Sequence, residues 1–260
     1  MIKLYNILIS KILNEIIPAT KISISKGNKI FGAAILNKND FSTIVIGTNN
    51  EIINPLFHGE ISTINEYFNS NLNKKIQPTD CIFLSTHEPC SLCLSAITWS
   101  GFDNIYYFFP YKKTKELFNI PHDINILKEI FKLDNGDYNR INSFWRSYSI
   151  IDEIRKLNDS GEYDFENNIK KIHQEYVKLS ELYQGNKDNN LIPLNWFFRV
   201  INTYIFHKVG DTVYNRAEGA KYPETLRQKD RGKKYSGKWA VCSTEGASCI
   251  TKLSGTMTEG

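Results

Sequence analysis

The 260-residue sequence predicts an α/β fold in which a partly parallel sheet is covered by helices on both faces. Short runs rich in Ile, Val and Phe alternate with segments whose apolar residues recur at helical spacing. Strands that alternate with helices favour such a covered, mixed sheet. The composition, 41% hydrophobic and 23% charged, is that of a globular protein large enough to bury a core.

The elements follow in the order α, β, β, α, β, α, β, α. The predicted helices are residues 1–17, 58–69, 90–100 and 112–118, and the predicted strands are residues 30–36, 42–47, 81–85 and 104–109. The polar segment that starts at Asn37 joins the first two strands as a β-hairpin. In the third helix, Leu92, Leu94, Ala96, Ile97 and Trp99 are expected to pack against the core.

The second half of the chain carries weaker signals. Residues 122–186 are predicted to be mostly helical, with breaks at Gly136 and Gly161 and a last strand near residues 138–148. Residues 191–206 are apolar and aromatic, so we expect them to dock back on the core.

Composition changes sharply near residue 207. Residues 1–207 hold 33 Ile, 26 Asn and equal numbers of basic and acidic side chains, 22 of each. Residues 208–260 hold one Ile, one Asn, seven of the fifteen glycines and the whole net charge of +4.

We predict a core over residues 1–121, a mostly helical extension over 122–207 that completes or covers it, and a distinct tail. We interpret the tail as a segment of different coding origin, with a solvated basic tail as the alternative.

The sequence favours a cytoplasmic protein. Its apolar runs fall short of the roughly 18–20 residues that a membrane-spanning helix needs. The apolar start is interrupted by Asn6, Lys11 and Glu15 and lacks a small-residue cleavage site, so we predict a helix there and not a signal peptide. Five cysteines in a chain of this length do not suggest a secreted disulfide framework.

Two short motifs predict a zinc site. His58-Gly-Glu60 begins one predicted helix, and after 28 intervening residues Pro89-Cys90-Ser-Leu-Cys93 begins another. Cys90 and Cys93 share one face of a helix's first turn, where the positive helix end favours thiolates. One imidazole and two thiolates would bind one zinc ion per chain and leave a fourth position for water, which is typical of catalytic zinc. Zinc lowers the pKa of its water to about 7, and Glu60 can reach that water as a proton shuttle without binding the metal.

These residues resemble the zinc-dependent cytidine/deoxycytidylate deaminase superfamily, whose signature is H-x-E followed by P-C-x-x-C. The resemblance covers residues 28–120. It implies a three-layer α/β/α fold with a mixed five-stranded sheet, to which the helical extension is added. The predicted helix after the fourth strand is similar to the branch that contains guanine deaminase, tRNA adenosine deaminase and yeast-type cytosine deaminase.

The resemblance also suggests substrate contacts. That branch carries an Asn shortly before the His motif, and Asn49 and Asn50 are the candidates, with Asn49 favoured. Phe57 and His87 are further candidates, although packing is favoured for Phe57 and a hydrogen bond in a surface loop is favoured for His87. Glu88 is expected to fix the metal loop through backbone hydrogen bonds. Gly59 replaces the commoner Ala.

The resulting hypothesis is a hydrolytic deaminase that releases ammonia from a nucleobase, nucleoside or nucleotide with a cytosine- or purine-type ring. Zinc-bound hydroxide would attack the amine-bearing carbon while Glu60 moves the protons. The alternatives are a tRNA adenosine deaminase, a non-catalytic zinc-binding module of the same fold and a thiol-redox protein using Cys90 and Cys93. The neutral charge of residues 1–207 favours a small molecule over nucleic acid. Because relatives are commonly dimers or tetramers, the resemblance makes a homodimer an expectation.

Overall fold

The structure is a computed structural model that describes residues 2–157 and 163–186, with four two-residue strands in the tail. The chain divides into two compact units, residues 1–192 and 193–260. In the second unit, Lys208–Val209 pairs with Thr212–Val213 and Val241–Cys242 pairs with Cys249–Ile250, both antiparallel. The segment 191–206, predicted to dock on the core, lies outside the described residues.

The first unit is built on a mixed five-stranded sheet, as predicted. Its order is β2-β1-β3-β4-β5, with β1 antiparallel to both β2 and β3 and with β3, β4 and β5 parallel. The strands are β1 Gly32–Asn37, β2 Thr43–Thr48, β3 Cys81–His87, β4 Asn104–Phe109 and β5 Arg146–Ser149. The last strand therefore lies at the end of the segment in which the sequence predicts it.

Helices flank this sheet. They are α1 Ile2–Lys11, α2 Ile17–Ser25, α3 Gly59–Asn69, α4 Ser91–Trp99, α5 Tyr111–Phe118, α6 His122–Phe131, α7 Ile150–Arg155 and α8 Phe165–Asn186. Short 3-10 helices lie at Leu72–Lys74, Pro78–Asp80 and Asp134–Gly136. Among the described residues, no helix is both long and apolar enough to cross a bilayer.

The first helix extends beyond its predicted end. The apolar spacing predicts a helix over residues 1–17. Instead, the π-helical segment Ile12–Ile16 joins α1 to α2, and Pro18 lies in the first turn of α2, where its missing donor costs little.

Two hydrophobic clusters show that the sheet is covered on both faces, because alternate residues of β1 belong to different clusters. One contains Ala34, Leu36 and buried residues of α1, α2 and α8. The other contains Ala33, Ile35 and buried residues of α3 and α4. The predicted packing of α4 is correct for Leu94 and Ile97 and wrong for Trp99, which is 91% exposed. Trp99 and Leu92 are seven residues apart and lie on the outward face of the helix.

Residues after 121 contribute directly to the first unit. Strand β5 completes the sheet beside β4, and Trp145 belongs to the α3–α4 cluster. Helix α8 adds five buried side chains to the opposite cluster: Phe165, Ile172, Tyr176, Leu179 and Tyr183.

Candidate metal centre and active site

The backbone brings two helix starts together at one end of the sheet. His58 immediately precedes α3 and Cys90 immediately precedes α4, both in extended conformation, and neither side chain caps its helix. Both side chains are therefore free to face a ligand. Gly59 lets α3 start close to the sheet, because a Cβ added there would lie 3.0 Å from the Cα of Gly32. An alanine at this position would need the neighbouring backbone to shift.

Three ligand atoms converge at these helix starts. His58 Nδ1 lies 3.4 Å from Cys90 Sγ and 3.6 Å from Cys93 Sγ, and the two sulfurs are 3.5 Å apart. Tetrahedral zinc with ordinary Zn–S and Zn–N distances places its ligand atoms about 3.5–3.8 Å apart, so these residues fit the ion. Within the described residues, His58, Cys90 and Cys93 are the metal-compatible cluster.

The two thiols differ in acidity. The hydrogen bond from Cys93 holds the pKa of the Cys90 thiol well below its ordinary value, against the effect of burial and with help from His58. Burial and the charge of Cys90 raise the pKa of Cys93. Burial alone would lower the pKa of His58, but its hydrogen bond with Cys90 and the charge of that residue raise it to about 9. Of the two thiols, Cys90 therefore loses its proton readily, whereas the proton of Cys93 must be displaced when the metal binds.

Glu60 lies beside the ligands without being one of them. Its carboxyl is buried, with Oε2 3.3 Å from Cys93 Sγ and Oε1 2.9 Å from Ser85 Oγ. Burial, with the charge of Cys90, raises the pKa of Glu60. Ser85 Oγ also lies 2.6 Å from the carbonyl oxygen of His87. Since a hydroxyl has one proton to donate, both Ser85 contacts are satisfied together when Glu60 is protonated.

Asn49 is also brought to the site. Its Oδ1 accepts a hydrogen bond from the Gly59 amide at 2.8 Å, directly beside His58. Its Nδ2 donates to Glu51 Oε2 at 2.9 Å, and Glu51 Oε1 pairs with Lys29 Nζ at 2.7 Å. Sequence reasoning missed Lys29 and Glu51, because an isolated Lys and Glu 22 residues apart give no pattern.

Asp123, in the first turn of α6, is electrostatically coupled to this site, and sequence reasoning missed it as well. Burial, with the charges of Cys90 and Glu60, raises its pKa to about 8, while His58 and Lys29 act in the opposite direction. Such mutual influence places the Asp123 carboxyl in the same electrostatic environment as the metal ligands. Its sequence signal was slight: an acidic residue at a helix start after Pro121.

The other predicted contacts lie in different surroundings. His87 is 2% exposed, and its ring packs against four aromatic rings that we call the aromatic box: Phe31, Phe109, Phe118 and Tyr176. This placement favours packing over the predicted substrate contact. Phe57 is half-buried and lines an open groove of about 550 Å³ with Asn49 and Asn50, so its contact stays a prediction.

The loop before Cys90 is fixed as predicted. Glu88 accepts a hydrogen bond from the Tyr111 backbone amide at 3.0 Å. Arg140, which the sequence did not indicate, adds two contacts to Glu88 Oε1 at 2.8 and 3.0 Å. A residue from the C-terminal half thus stabilises the loop that carries the cysteines.

Comparison with known proteins identifies the zinc-binding region. Residues 9–109 match the family described as cytidine and deoxycytidylate deaminase zinc-binding region. No curated protein matches the chain.

Similar solved structures include two guanine deaminases and a tRNA deaminase. Guanine deaminase from Nitrosomonas europaea has 15% identity and a TM-score of 0.39, covering 63% of this chain and 81% of its own. Guanine deaminase from Bacillus subtilis has 23% identity and a TM-score of 0.38, covering 56% and 92%. A tRNA:A34 deaminase has 18% identity and a TM-score of 0.35, covering 52% and 95%. Likeness at this level does not identify a substrate.

Proposed function

We propose that this chain, a zinc-dependent deaminase of the cytidine and deoxycytidylate deaminase superfamily, releases ammonia from a free nucleobase. The proposal extends the shared chemistry of the family to a substrate class. It rests on the buried carboxyl of Glu60 beside the zinc ligands and on the charges that surround them.

The position of Glu60 is the observation that carries the hydrolytic reaction. A zinc ion held by His58, Cys90 and Cys93 would supply an acidified water as the nucleophile. Glu60 lies within 3.3 Å of a ligand atom and is held by Ser85, so its carboxyl is placed to receive a proton from that water. It would pass that proton to the ring nitrogen beside the reacting carbon, and it would then carry a second proton, from the hydroxyl group added to that carbon, to the leaving amine. Its raised pKa suits a group that must both accept and donate.

The carboxyls around the site favour an uncharged base that can both donate and accept hydrogen bonds. Asp123 and Glu60 are carboxyls in one electrostatic environment, and a carboxyl whose pKa is raised to about 8 can donate as well as accept a hydrogen bond at neutral pH. Free bases expose ring N–H groups that a sugar would otherwise replace, and guanine offers several. The neutral net charge of residues 1–207 disfavours the phosphates of nucleotides and tRNA.

Ammonia release over a panel of substrates tests the proposal. The panel holds guanine, adenine and cytosine, their nucleosides and monophosphates, and a tRNA, with the Glu60→Gln variant as the blank. We expect release from a free base and none from the blank. Release from tRNA alone, or from monophosphates alone, would overturn the proposal.

Asp123→Asn tests the part of Asp123 in substrate binding. We expect KM for the preferred base to rise about tenfold, because the amide changes one hydrogen bond between the carboxyl and the base, and one such bond contributes about 1 kcal/mol. Glu129→Gln is the matched control, since this exposed carboxyl lies on the same helix. Steady-state kinetics measures both. An unchanged KM in Asp123→Asn would remove Asp123 from the binding site.

Two further expectations belong to this proposal. We expect a cytoplasmic location, because Cys90 and Cys93 must remain reduced to bind zinc. We also expect a homodimer, and light scattering of the purified protein measures its mass directly.

A further inference from the structure

A buried charge network lies on the outer side of His58. Glu51 and Lys29 form an ion pair at 2.7 Å, and their side chains are only 1% and 4% exposed. Burying such a pair is costly, and removing one partner leaves an uncompensated charge. The hydrolytic mechanism uses neither residue, so the pair calls for an explanation of its own.

Glu51 faces two groups of the active site as well as Lys29. Its Oε2 accepts the Asn49 side-chain amide at 2.9 Å, and its Oε1 lies 3.8 Å from His58 Nε2. His58 turns its other nitrogen, Nδ1, toward the two thiols. Histidines that bind metal commonly direct their second ring N–H at a carboxylate, which fixes the tautomer and the ring orientation. Glu51 is the carboxylate beside this nitrogen, at 3.8 Å.

The end of α2 and the turn that follows it hold this carboxylate in place. Ser23 Oγ, in α2, donates to the Asn49 carbonyl oxygen at 2.6 Å, and Asn28 Oδ1, in the turn, accepts from the Ile52 amide at 3.2 Å. Together with the Lys29–Glu51 pair, these contacts attach residues 49, 51 and 52 to the end of α2 and to the turn before β1. Burial by itself lowers the pKa of Lys29, but the charge and hydrogen bond of Glu51 raise it, so Lys29 stays charged.

We propose that Glu51, neutralised by Lys29, is a positioning residue that orients the zinc ligand His58 and the amide of Asn49 together. One carboxylate then positions both a zinc ligand and a candidate substrate contact. The role toward His58 concerns zinc binding, whereas the role toward Asn49 rests on the function proposed above.

The affinity for zinc, measured by competition with a chelating dye in the absence of substrate, tests the proposal. In Glu51→Gln, we expect zinc affinity to fall about 10- to 100-fold, as for other carboxylate partners of metal-bound histidines. The measurement needs no turnover, so an incorrect substrate assignment would leave its result unchanged. An affinity within twofold of the wild type would overturn the proposal.

A double variant separates positioning from stability. Lys29→Met alone leaves Glu51 buried without its cation, so we expect the largest fall in Tm. Combining it with Glu51→Gln removes both charges, so Tm should recover toward the wild type while zinc affinity stays low. If zinc affinity recovered together with Tm, the pair would be purely structural and the proposal would be wrong.

The ion pair Lys38–Asp103 is the matched control. It has the same 2.7 Å separation but is partly exposed and lies at the opposite ends of β1 and β4 from the metal ligands. Lys38→Met combined with Asp103→Asn should leave zinc affinity unchanged. If this control variant lost as much zinc affinity as Glu51→Gln, the zinc affinity would depend on general stability, and the proposal would be overturned.

Discussion

Two histidines on either side of the sheet's end have opposite surroundings. His58 has a side chain 24% exposed, and it faces two thiols, Glu51 and a polar loop. His87 is 2% exposed and enclosed by the aromatic box. The thiol contacts raise the pKa of His58 to about 9, whereas burial lowers that of His87 to about 3. Two thiols and a carboxylate surround the imidazole of His58, which would release a proton on binding a metal, whereas burial among aromatic rings keeps His87 neutral.

The difference shows that closeness to a motif in sequence does not establish a place in the site. His87 lies three residues before Cys90, yet its ring packs with side chains from β4, α5 and α8. His58 lies 32 residues before Cys90, yet the two side chains meet at 3.4 Å. The helix starts, and not the distance along the chain, bring the ligands together.

Loss of a zinc ligand that contacts His58 should have the largest effect on activity and stability. We expect Cys90→Ala to lose bound zinc, with turnover falling to background and stability falling as well, because metal binding contributes to folding. Metal analysis of the purified protein and thermal unfolding measure both losses. Cys81→Ala is the matched control, since Cys81 is fully buried in the α3–α4 cluster and should keep its zinc. A stable, zinc-loaded Cys90→Ala protein would contradict the ligand set.

Glu60→Gln should separate chemistry from metal binding. The amide keeps the shape of the side chain but cannot relay protons, so we expect turnover to fall about 10²- to 10⁴-fold while zinc is retained. Single-turnover kinetics together with metal analysis measures the two quantities on the same sample. Full activity would remove Glu60 from the mechanism, and loss of zinc would make it a ligand.

Much of this organisation was predictable from local patterns. The spacing of His58, Glu60, Cys90 and Cys93 identifies the ligands and the neighbouring carboxyl, and apolar periodicity predicts the strands and most helices. Contacts between distant segments left no such pattern. Lys29 with Glu51, Glu88 with Arg140, and His87 with Tyr176 are each joined only by the fold. The predicted end of the first helix at residue 17 was wrong, because a π-helical segment joins α1 to α2 and helical structure continues to Ser25.

The aromatic box should make the protein sensitive to acid through His87. Burial lowers the pKa of His87 to about 3, whereas an unfolded histidine has a pKa near 6.5. As pH falls below about 6.5, the unfolded state binds a proton that the folded state refuses, so the folded state loses up to about 1.4 kcal/mol per pH unit. By pH 5 this amounts to about 2 kcal/mol from His87 alone.

His87→Leu should remove this loss while leaving turnover intact. Leucine fills a similar volume and removes a buried Nε2 that has no hydrogen-bond partner, so we expect equal or greater stability at neutral pH. Denaturant unfolding of the metal-free wild type and the metal-free His87→Leu variant, from pH 7.5 to pH 5, measures the difference between their free energies of unfolding. The other titrating groups are the same in both proteins, so their contributions cancel in this difference. His173→Leu is the matched control: its ring also contacts Phe109, but it is half-buried and should show a smaller change. If His87→Leu instead abolished turnover with stability preserved, His87 would act at the site, and the contrast with His58 would fail.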